Sequence, residues 1–508
     1  MNENSNKIIK NTIFIYIRMV ISIVVSLYSV RIVLKALGVV DFGIYSLVGG
    51  VIAFLSFLNG AMTTSSQRYI SFFLGRNNLK ETREIFKSTI FLHLAISLIL
   101  VVVFEIIGLF IFDGVLNIPV DRIDSAKTVY QFMILNMFVV INSVPYDSLI
   151  NSREHLFFDS IVGVIESLLK LGIAIILTYY SKDRLVFYAF LLVVLGLVIR
   201  LVKFLYCSIN FEESKVFLKK VVINYKLFKE MISFASWNLF GGITTVSYTQ
   251  GLSIILNLFF GPVVNASYGI GLQISSQLLS FSSSIIKAIN PQIVKSEGRG
   301  ERANLIELTI KASKFSFFLL SIICLPLIFE MNYVLTMWLT DVPKYSVLFC
   351  QLILIRAMID QFSSGIKTAI QAVGKIKKYQ LVVGIIVIMN IPTSYILLHF
   401  GLQPFWVFIN SITLSILALL VRLKFSKKII GLGFMKFYQR IIKPNLQCII
   451  IPLITSALII YFFDESFLRL LTLSLSSALL ITLVFYTKGL SLSEKSNFNR
   501  LVLKFLRK

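Results

Sequence analysis

Several charged side chains lie inside apolar runs that are long enough to cross a membrane. Arg18, Lys170 and Arg356 each stand several residues within such a run. A lone charge is costly there, and it usually faces a partner or a water-filled path. A guanidinium group donates two parallel hydrogen bonds to a carboxylate or phosphate, and an ammonium group supplies a point charge. These residue types therefore predict recognition of an anionic group within the membrane.

Six basic residues within or beside these runs form a predicted cationic lining for a substrate. They are Arg18, Arg31, Arg68, Lys287, Arg356 and Lys367. Arg31 stands at an outer helix end, so it either joins this lining or extends to the membrane surface. Arg200 and Lys203 stand near the inner end of their run, and we expect both to extend to the surface.

Two of the charges have an opposite charge four positions away. Glu166 precedes Lys170 in "VIESLLKLGI", and Arg356 precedes Asp360 in "LIRAMIDQF". Residues four apart share one helix face. Each pair is therefore either a self-neutralised contact inside the bundle or part of a hydrated wall, from which a conformational change could free the cation.

Composition determines the class of protein. The chain has 508 residues, of which 57% are hydrophobic, and its mean hydropathy is +0.85. A soluble domain cannot bury so much apolar surface, so the chain is predicted to be a polytopic membrane protein. In that setting the net charge of +24 is expected from cytoplasmic loops that face anionic lipid, and nucleic acid is not a predicted partner. The four cysteines are far apart and predict no disulfide framework.

About fourteen runs are long enough to span the bilayer as helices. Alternating strand patterns are absent from the sequence, so a helical bundle is predicted and a barrel is not. The predicted spans are 12–34, 42–62, 88–112, 128–150, 158–179, 185–206, 231–258, 263–289, 312–334, 346–372, 379–398, 403–421, 445–463 and 467–487.

Lysine and arginine concentrate in alternate loops, and this bias predicts that both termini lie in the cytoplasm. Basic loops such as "GKIKK" and "RLKFSKKIIGLGFMKFYQRIIK", which begins at Arg422, are assigned to the inside. Short loops such as "GVVD" and "SKDR" are assigned to the outside. The segment "GFMKFYQRIIKPNL" is amphipathic, and it is either an element on the inner membrane surface or an ordinary linker.

Two segments recur at an offset of about 220 residues, which indicates an internal repeat. The turn at Gly38 resembles the turn at Gly261, and residues 149–163 resemble 369–384. We therefore predict two parallel six-helix bundles around a central cleft, a layout typical of transporters, although chance similarity of Gly-rich apolar segments is the alternative. The predicted domains are 1–225 and 226–430 for the two bundles, and 431–508 for an added helix pair with a basic tail.

The stretches "RIVLKALGVVDFGIYSLVGG", "TSSQRYISFFLGR" and "AINPQIV" give the chain a family resemblance. It resembles the Wzx-type oligosaccharide flippases, polysaccharide transporters of the multidrug/oligosaccharidyl-lipid/polysaccharide (MOP) superfamily. The resemblance implies a MATE-like monomer in the bacterial inner membrane. Its implied task is to move an undecaprenyl-pyrophosphate-linked oligosaccharide, such as an O-antigen, capsule or exopolysaccharide repeat unit, to the periplasmic leaflet. Implied partners are membrane lipids, a polysaccharide polymerase and a chain-length regulator.

The sequence contains no nucleotide-binding loop, no metal-binding motif and no nucleophile motif. We therefore predict no cofactor, no metal and no enzymatic activity. Energy would come from an H⁺ or Na⁺ gradient or from removal of the product outside. Glu105 and Asp147 are predicted either to couple such an ion or to make interhelical hydrogen bonds. The rival function is a MATE-type ion-coupled exporter of small molecules, but basic residues outnumber acids in the spans and favour an anionic cargo.

Overall fold

The regular secondary structure of the described residues is helical, with no strands among them, which confirms the predicted all-α class. Ten of the described helices are long and apolar enough to cross a membrane, or eleven if one bent pair counts as a single span. The chain is therefore a multi-pass membrane protein. The computed structural model describes residues 14–45 (except 23, 26, 27, 30, 34, 39, 40 and 43), 56–112, 118–215, 225–339, 342–492 and 494–496.

Three predicted spans account for the difference between fourteen and eleven. The predicted spans 12–34 and 42–62 lie partly outside the described residues. The predicted span 263–289 is helical, but its run of serines and glutamines leaves it out of the apolar set. This polar helix is the one departure that the described residues show from a uniformly apolar set of spans.

The described residues form two compact units, one within 7–239 and one from 240 onward. We call them the first and second units; the predicted boundaries at 225/226 and 430/431 stay predictions. In the first unit, every described residue between 14 and 45 lies in helix. The helices that follow are α1 (Ser56–Gly75), α2 (Leu79–Ile111), α3 (Ile123–Ile141), α4 (Val144–Ser152), α5 (Leu156–Tyr179) and α6 (Arg184–Asn210).

Local signals in the sequence start two of these helices. The Asn78 side chain accepts a hydrogen bond from the Glu81 N–H at the start of α2. Asp183 accepts from the backbone N–H groups of Leu185 and Val186 at the start of α6. Such caps satisfy N–H groups that have no partner within the helix. Burial raises the pKa of Asp183, but these bonds, the Ser125 hydroxyl and the charge of Arg122 outweigh burial and lower it below its ordinary value.

The long helix α7 (Tyr225–Gly298) begins in the first unit and ends in the second, and it is interrupted at Gly261. The chain boundary between the two units falls within α7, between Leu239 and Phe240. The remaining helices are α8 (Arg302–Phe329), α9 (Met331–Trp338), α10 (Ser346–Gln361), α11 (Ser364–Val373), α12 (Lys377–Ile388), α13 (Asn390–His399), α14 (Trp406–Ile430), α15 (Phe434–Phe437), α16 (Lys443–Phe462) and α17 (Phe467–Val484), with π-helical turns at Tyr438–Ile442 and Phe485–Gly489.

Each unit contains a span whose helix is interrupted at matching positions. Helix α4 begins at Val144 and α11 begins at Ser364, which is 220 positions later. Each short helix is followed by left-handed backbone, with φ of 64° at Glu154 and 86° at Gly374, again 220 positions apart. The bend between α10 and α11 is 44°. The same local architecture therefore recurs at the offset that the sequence predicted.

The recurring glycine turn also has the same backbone conformation in both copies. Gly38 and Gly261 both have a φ of 77°, a left-handed value that residues with a side chain rarely adopt. A Cβ atom at either position would meet no other atom within 4 Å. Both glycines are therefore required by backbone conformation and not by close packing.

The helix pair α16 and α17 is attached to α8 by buried and half-buried ion pairs. Arg469 of α17 donates to both oxygens of Glu330, at 2.7 and 2.9 Å, directly after α8 ends. Arg440, in the π-helical turn before α16, donates to both oxygens of Glu307 at 3.1 and 2.9 Å. Bidentate pairs of this kind set orientation as well as distance. They connect the added pair to α8 near both of its ends.

A third ion pair connects the segment that follows α17 to α8. The buried Lys314 of α8 donates to Glu494 at 2.6 Å and to the Gly489 carbonyl at 3.0 Å. Burial alone would raise the pKa of Glu494, but the charge of Lys314 and the Ser491 N–H lower it below its ordinary value. Glu494 is therefore held as a carboxylate, which compensates the buried Lys314.

Substitution of Gly365 tests how closely α11 packs on α8. A Cβ atom at Gly365 would lie 2.2 Å from the Thr309 carbonyl oxygen. We expect Gly365→Ala to destabilise the purified protein by about 1–3 kcal/mol, because overpacking must move a backbone. A lower thermal midpoint in detergent would report this. Gly269→Ala is the matched control, since its Cβ would meet nothing within 4 Å; equal midpoints for the two variants would contradict the packing.

Candidate functional site

A cluster of charged side chains lies in the second unit, where α10, α11 and α14 meet around the break of the tenth predicted span. Arg356 and Asp360 lie one turn apart on α10, Lys367 lies on α11 and Arg422 lies on α14. We call these four residues the Asp360 cluster. Because α10 ends at Gln361, the carboxylate of Asp360 stands directly before the break.

Asp360 is shared between two guanidinium groups. Arg422 Nη1 lies 3.3 Å from Asp360 Oδ1, and Arg356 Nε lies 3.8 Å from Asp360 Oδ2. Ser415 joins both partners, since its hydroxyl accepts from Arg356 Nε at 3.2 Å and lies 3.5 Å from Asp360 Oδ2. The Lys367 ammonium is attracted by the charge of Asp360 and repelled by the charges of Arg422 and Arg356. Three cations therefore surround one carboxylate.

The two arginines of the cluster differ in exposure. The Arg422 side chain is 7% exposed and donates to the Ser363 hydroxyl at 3.1 Å, directly at the helix break. The Arg356 side chain is 25% exposed, and its guanidinium lies 4.1 Å from the centre of the Tyr248 ring. Tyr248 is positioned in turn by a 2.7 Å hydrogen bond with Ser411. Arg422 is thus a buried anchor, while Arg356 is the accessible arginine.

Arg422 was assigned to a cytoplasmic loop by the sequence, and that assignment is wrong. Helix α14 extends to Ile430 and ends at Gly431, whose φ of 81° suits a helix C-terminus. Arg422 therefore lies two turns inside the helix, on the face that carries Ser411 and Ser415. The glycine at the true helix end and the serines at helical spacing were the available signals. Its Nε atom is buried with no hydrogen-bond partner in the described part of the chain.

The first unit holds a different set of charges. Arg18 donates to Asp159 Oδ2 at 2.8 Å and to the Asp159 carbonyl at 3.2 Å. Gly163, one turn later on α5, leaves room for this guanidinium, because a Cβ atom there would lie 2.2 Å from Arg18 Nε. The sequence singled out Arg18 but missed Asp159, since the two are 141 positions apart.

Lys203 does not extend to the membrane surface as predicted. It donates to Asp147 at 2.5 Å, and its side chain is 13% exposed. Asp159 and Glu166 add favourable electrostatic interactions with the same ammonium group. The reason is that the half-buried carboxylate of Asp147 on α4 lies within reach of the ammonium group and attracts it directly.

Matching positions of the repeat carry different chemistry. Asp147 of the first unit corresponds to Lys367 of the second, and Asp159 corresponds to Tyr379, at the same 220-residue offset. In the first unit two cations, Arg18 and Lys203, meet two carboxylates. In the second unit the corresponding acids are absent from the sequence and three cations meet one carboxylate. Of these two sets of described residues, the one in the second unit therefore has the excess of positive charge.

The other predicted residues lie in separate surroundings. Arg68 lies 4.6 Å from the Tyr69 ring centre and 4.7 Å from that of Phe234. Glu166 and Lys170 pair at 2.7 Å and are partly exposed. Glu105 accepts a hydrogen bond from Gln131 at 3.1 Å. Arg31 is exposed, and Lys287 is half-buried on the polar part of α7.

The roles assigned to all of these residues stay predictions. Within the described residues, no group of three His, Cys, Asp or Glu side chains could hold a metal ion. The four cysteines are buried and free.

No family model and no curated protein matches the chain. Solved structures do match. One is an outward-facing multidrug-resistance MATE-family transporter of the MOP superfamily, with a TM-score of 0.74, 13% identity, and coverage of 84% of this chain and 96% of that one. A second is a MATE protein in the bent conformation, with a TM-score of 0.71, 15% identity, and coverage of 85% and 98%.

A third match is a MOP-superfamily transporter from Pyrococcus furiosus whose description reports reverse polarity of its binding pocket. Its TM-score is 0.69 at 13% identity, with coverage of 84% of this chain and 97% of that one. Identities this low show the fold alone. The chain therefore has the fold of MATE-family transporters of the MOP superfamily, which are not enzymes.

Substitution of Gly163 tests the Arg18–Asp159 contact. An added methyl group displaces the Arg18 guanidinium, so Gly163→Ala should cost about 1–3 kcal/mol of stability, although alanine is the better helix former. The measurement is the thermal midpoint of the purified protein. Gly172→Ala, on the same helix with nothing within 4 Å of its Cβ, should not lower it. In the Arg18→Ala background the Gly163→Ala effect should shrink; a fully additive pair would argue against the contact.

Proposed function

We propose that the protein is a flippase that moves a pyrophosphate-linked, lipid-anchored oligosaccharide from the cytoplasmic to the outer leaflet of a bacterial inner membrane. The family resemblance of the sequence implies that the cargo is an undecaprenyl-linked O-antigen, capsule or exopolysaccharide repeat unit. The observation that carries the proposal is the excess positive charge of the Asp360 cluster. Charges at membrane depth are costly, so an excess is retained where an anionic ligand uses it.

The arrangement of the cluster suits a phosphate group. Arg356 presents a partly exposed guanidinium, and the fork of such a group matches two phosphate oxygens. Lys367 adds a point charge from the other side of the helix break. The serine- and glutamine-rich part of α7 offers hydroxyl and amide groups of the kind that interact with sugars. In this proposal the remaining cations of the predicted lining, Arg18, Arg31, Arg68 and Lys287, guide the same head group.

Transport would use alternating access in a monomer with both termini in the cytoplasm. An H⁺ or Na⁺ gradient, or removal of the product by a polymerase with its chain-length regulator, would supply the energy. Asp147 is paired with Lys203 and Glu105 with Gln131. If either acid binds the coupling ion, it must first release its present partner. Ion binding would then be linked to a conformational change.

Export of small molecules is the second candidate, because a multidrug-resistance transporter shares the fold. A cationic drug requires a carboxylate that can accept it. Asp147, Asp159 and Asp360 are each engaged by a basic side chain. This arrangement supports an anionic cargo over a cationic one.

The test is complementation of a strain that lacks the gene. We expect lipid-linked oligosaccharide to accumulate in that strain and wild-type protein to clear it. Arg356→Ala and Arg18→Ala should slow transport by about tenfold or more, since each removes a charge-assisted hydrogen bond of about 1.5–3 kcal/mol. Arg356→Lys should be milder, unless the bidentate geometry is required.

Arg302→Ala is the matched control, because Arg302 is exposed and pairs with Glu297 outside the cluster. All variants are compared at equal amounts of membrane-inserted protein. Full complementation by Arg356→Ala and Arg18→Ala would refute the cationic site. A deletion strain with normal lipid-linked glycans and altered tolerance of cationic drugs would instead support export.

A further inference from the structure

The Asp360 carboxylate occupies the position that an anionic ligand of the second unit would need. It lies between Arg356 and Arg422, and its charge also acts on Lys367. Carboxylate and phosphate oxygens accept the same hydrogen bonds from a guanidinium group. A phosphate that approaches the accessible Arg356 therefore competes with Asp360 for this cation.

We propose that Asp360 is a tethered counter-anion, which the pyrophosphate of the cargo displaces from Arg356 and which returns to Arg356 to expel the cargo. This inference rests on the proposed function and adds a positioning role for Arg422, a residue outside the predicted lining. Arg422 retains the carboxylate while Arg356 changes partner. The exchange breaks no covalent bond and needs no proton transfer.

Geometry separates the two partners of Asp360. The contact to Arg422 is 3.3 Å and involves a side chain that is 7% exposed. The contact to Arg356 is 3.8 Å and involves a side chain that is 25% exposed. Ser415 lies 3.2 Å from Arg356 Nε and 3.5 Å from Asp360 Oδ2, so it stays within reach of whichever group moves. The looser and more accessible contact is the one that a ligand can replace.

The described residues of the first unit at the matching place are paired in a different way. At the matching place Lys203 and Asp147 form a pair with a single short contact of 2.5 Å. Arg18 is held by both the side chain and the carbonyl of Asp159. Arg18 and Lys203 each have a carboxylate of their own, whereas the Asp360 cluster has cations in excess.

The tethered carboxylate resolves a conflict in transport. Three cations without a counter-charge would be unfavourable in an empty carrier and would bind pyrophosphate too tightly to release it. Binding energy that is equal throughout a cycle does not speed turnover. A competing carboxylate lowers the affinity without removing the cations, and thereby permits release.

The experiment measures anion affinity and transport separately. Purified full-length protein is titrated with inorganic pyrophosphate by calorimetry, and flipping of lipid-linked oligosaccharide is followed in proteoliposomes. We expect Asp360→Asn to bind pyrophosphate about tenfold more tightly and to flip its substrate more slowly, with KM and kcat both lowered. A merely structural role for Asp360 would lower activity without raising affinity.

Two further variants keep the test decisive if Asp360→Asn does not fold. Asp360→Glu preserves the charge balance, and its longer arm reaches further toward Arg356, so we expect severalfold weaker pyrophosphate binding. Arg422→Gln releases the retained carboxylate onto Arg356 and should also weaken binding. Unchanged or tighter binding in Asp360→Glu would overturn the proposal.

Glu307→Gln is the matched control, because it frees Arg440 in the same unit in the way that Asp360→Asn frees Arg356. Pyrophosphate affinity and flipping should stay at wild-type levels. Equal tightening in this control would show a general effect of charge and would overturn the proposal. Wild-type flipping with an unchanged affinity in Asp360→Asn refutes the counter-anion alone. Tighter binding in that variant, with no flipping of lipid-linked glycan by wild-type protein, supports the counter-anion and refutes the proposed cargo.

Discussion

A charge at membrane depth must have an opposite charge, a dipole or water beside it, and this requirement connects several of the described helices in pairs. Asp159 draws the helix that carries Arg18 to α5, and Asp147 draws α6 to α4 through Lys203. In the second unit Asp360 connects α10 to α14. Removal of one partner would leave the other charge buried alone, which is far more costly than loss of a surface pair.

The same requirement explains why polar side chains lie at the interruptions of the spans. A helix break leaves backbone carbonyl and N–H groups without their usual partners, and a membrane offers no water to satisfy them. At the second break, the Ser363 hydroxyl donates a hydrogen bond to the Asp360 carbonyl and accepts one from Arg422. In the first unit, Asn142 bonds to Ser97 at 2.8 Å at the matching place. Polar side chains thus stabilise the helix interruptions beside which the charged groups lie.

Two copies of one local architecture carry different charges at matching positions. The start of the short helix and the left-handed turn after it match at an offset of 220 positions, while Asp147 and Asp159 correspond to Lys367 and Tyr379. Backbone geometry is determined by many residues, so it persists when one side chain changes. A single acid replaced by a lysine, in contrast, alters the local charge by two. Such replacement changes ligand polarity without a new fold.

The sequence by itself determined what depends on local chemistry: the helical class from composition, the repeat from glycine turns, and the pairs Glu166–Lys170 and Arg356–Asp360 from their four-residue spacing. Tertiary structure alone decided the partners that are far apart in sequence. Arg422 reaches Asp360 across 62 positions, and Lys203 reaches Asp147 across 56. Hydropathy places a basic residue near a helix end but carries no information about which carboxylate another helix brings beside it. That is why two residues assigned to the interface or a loop proved to be buried partners.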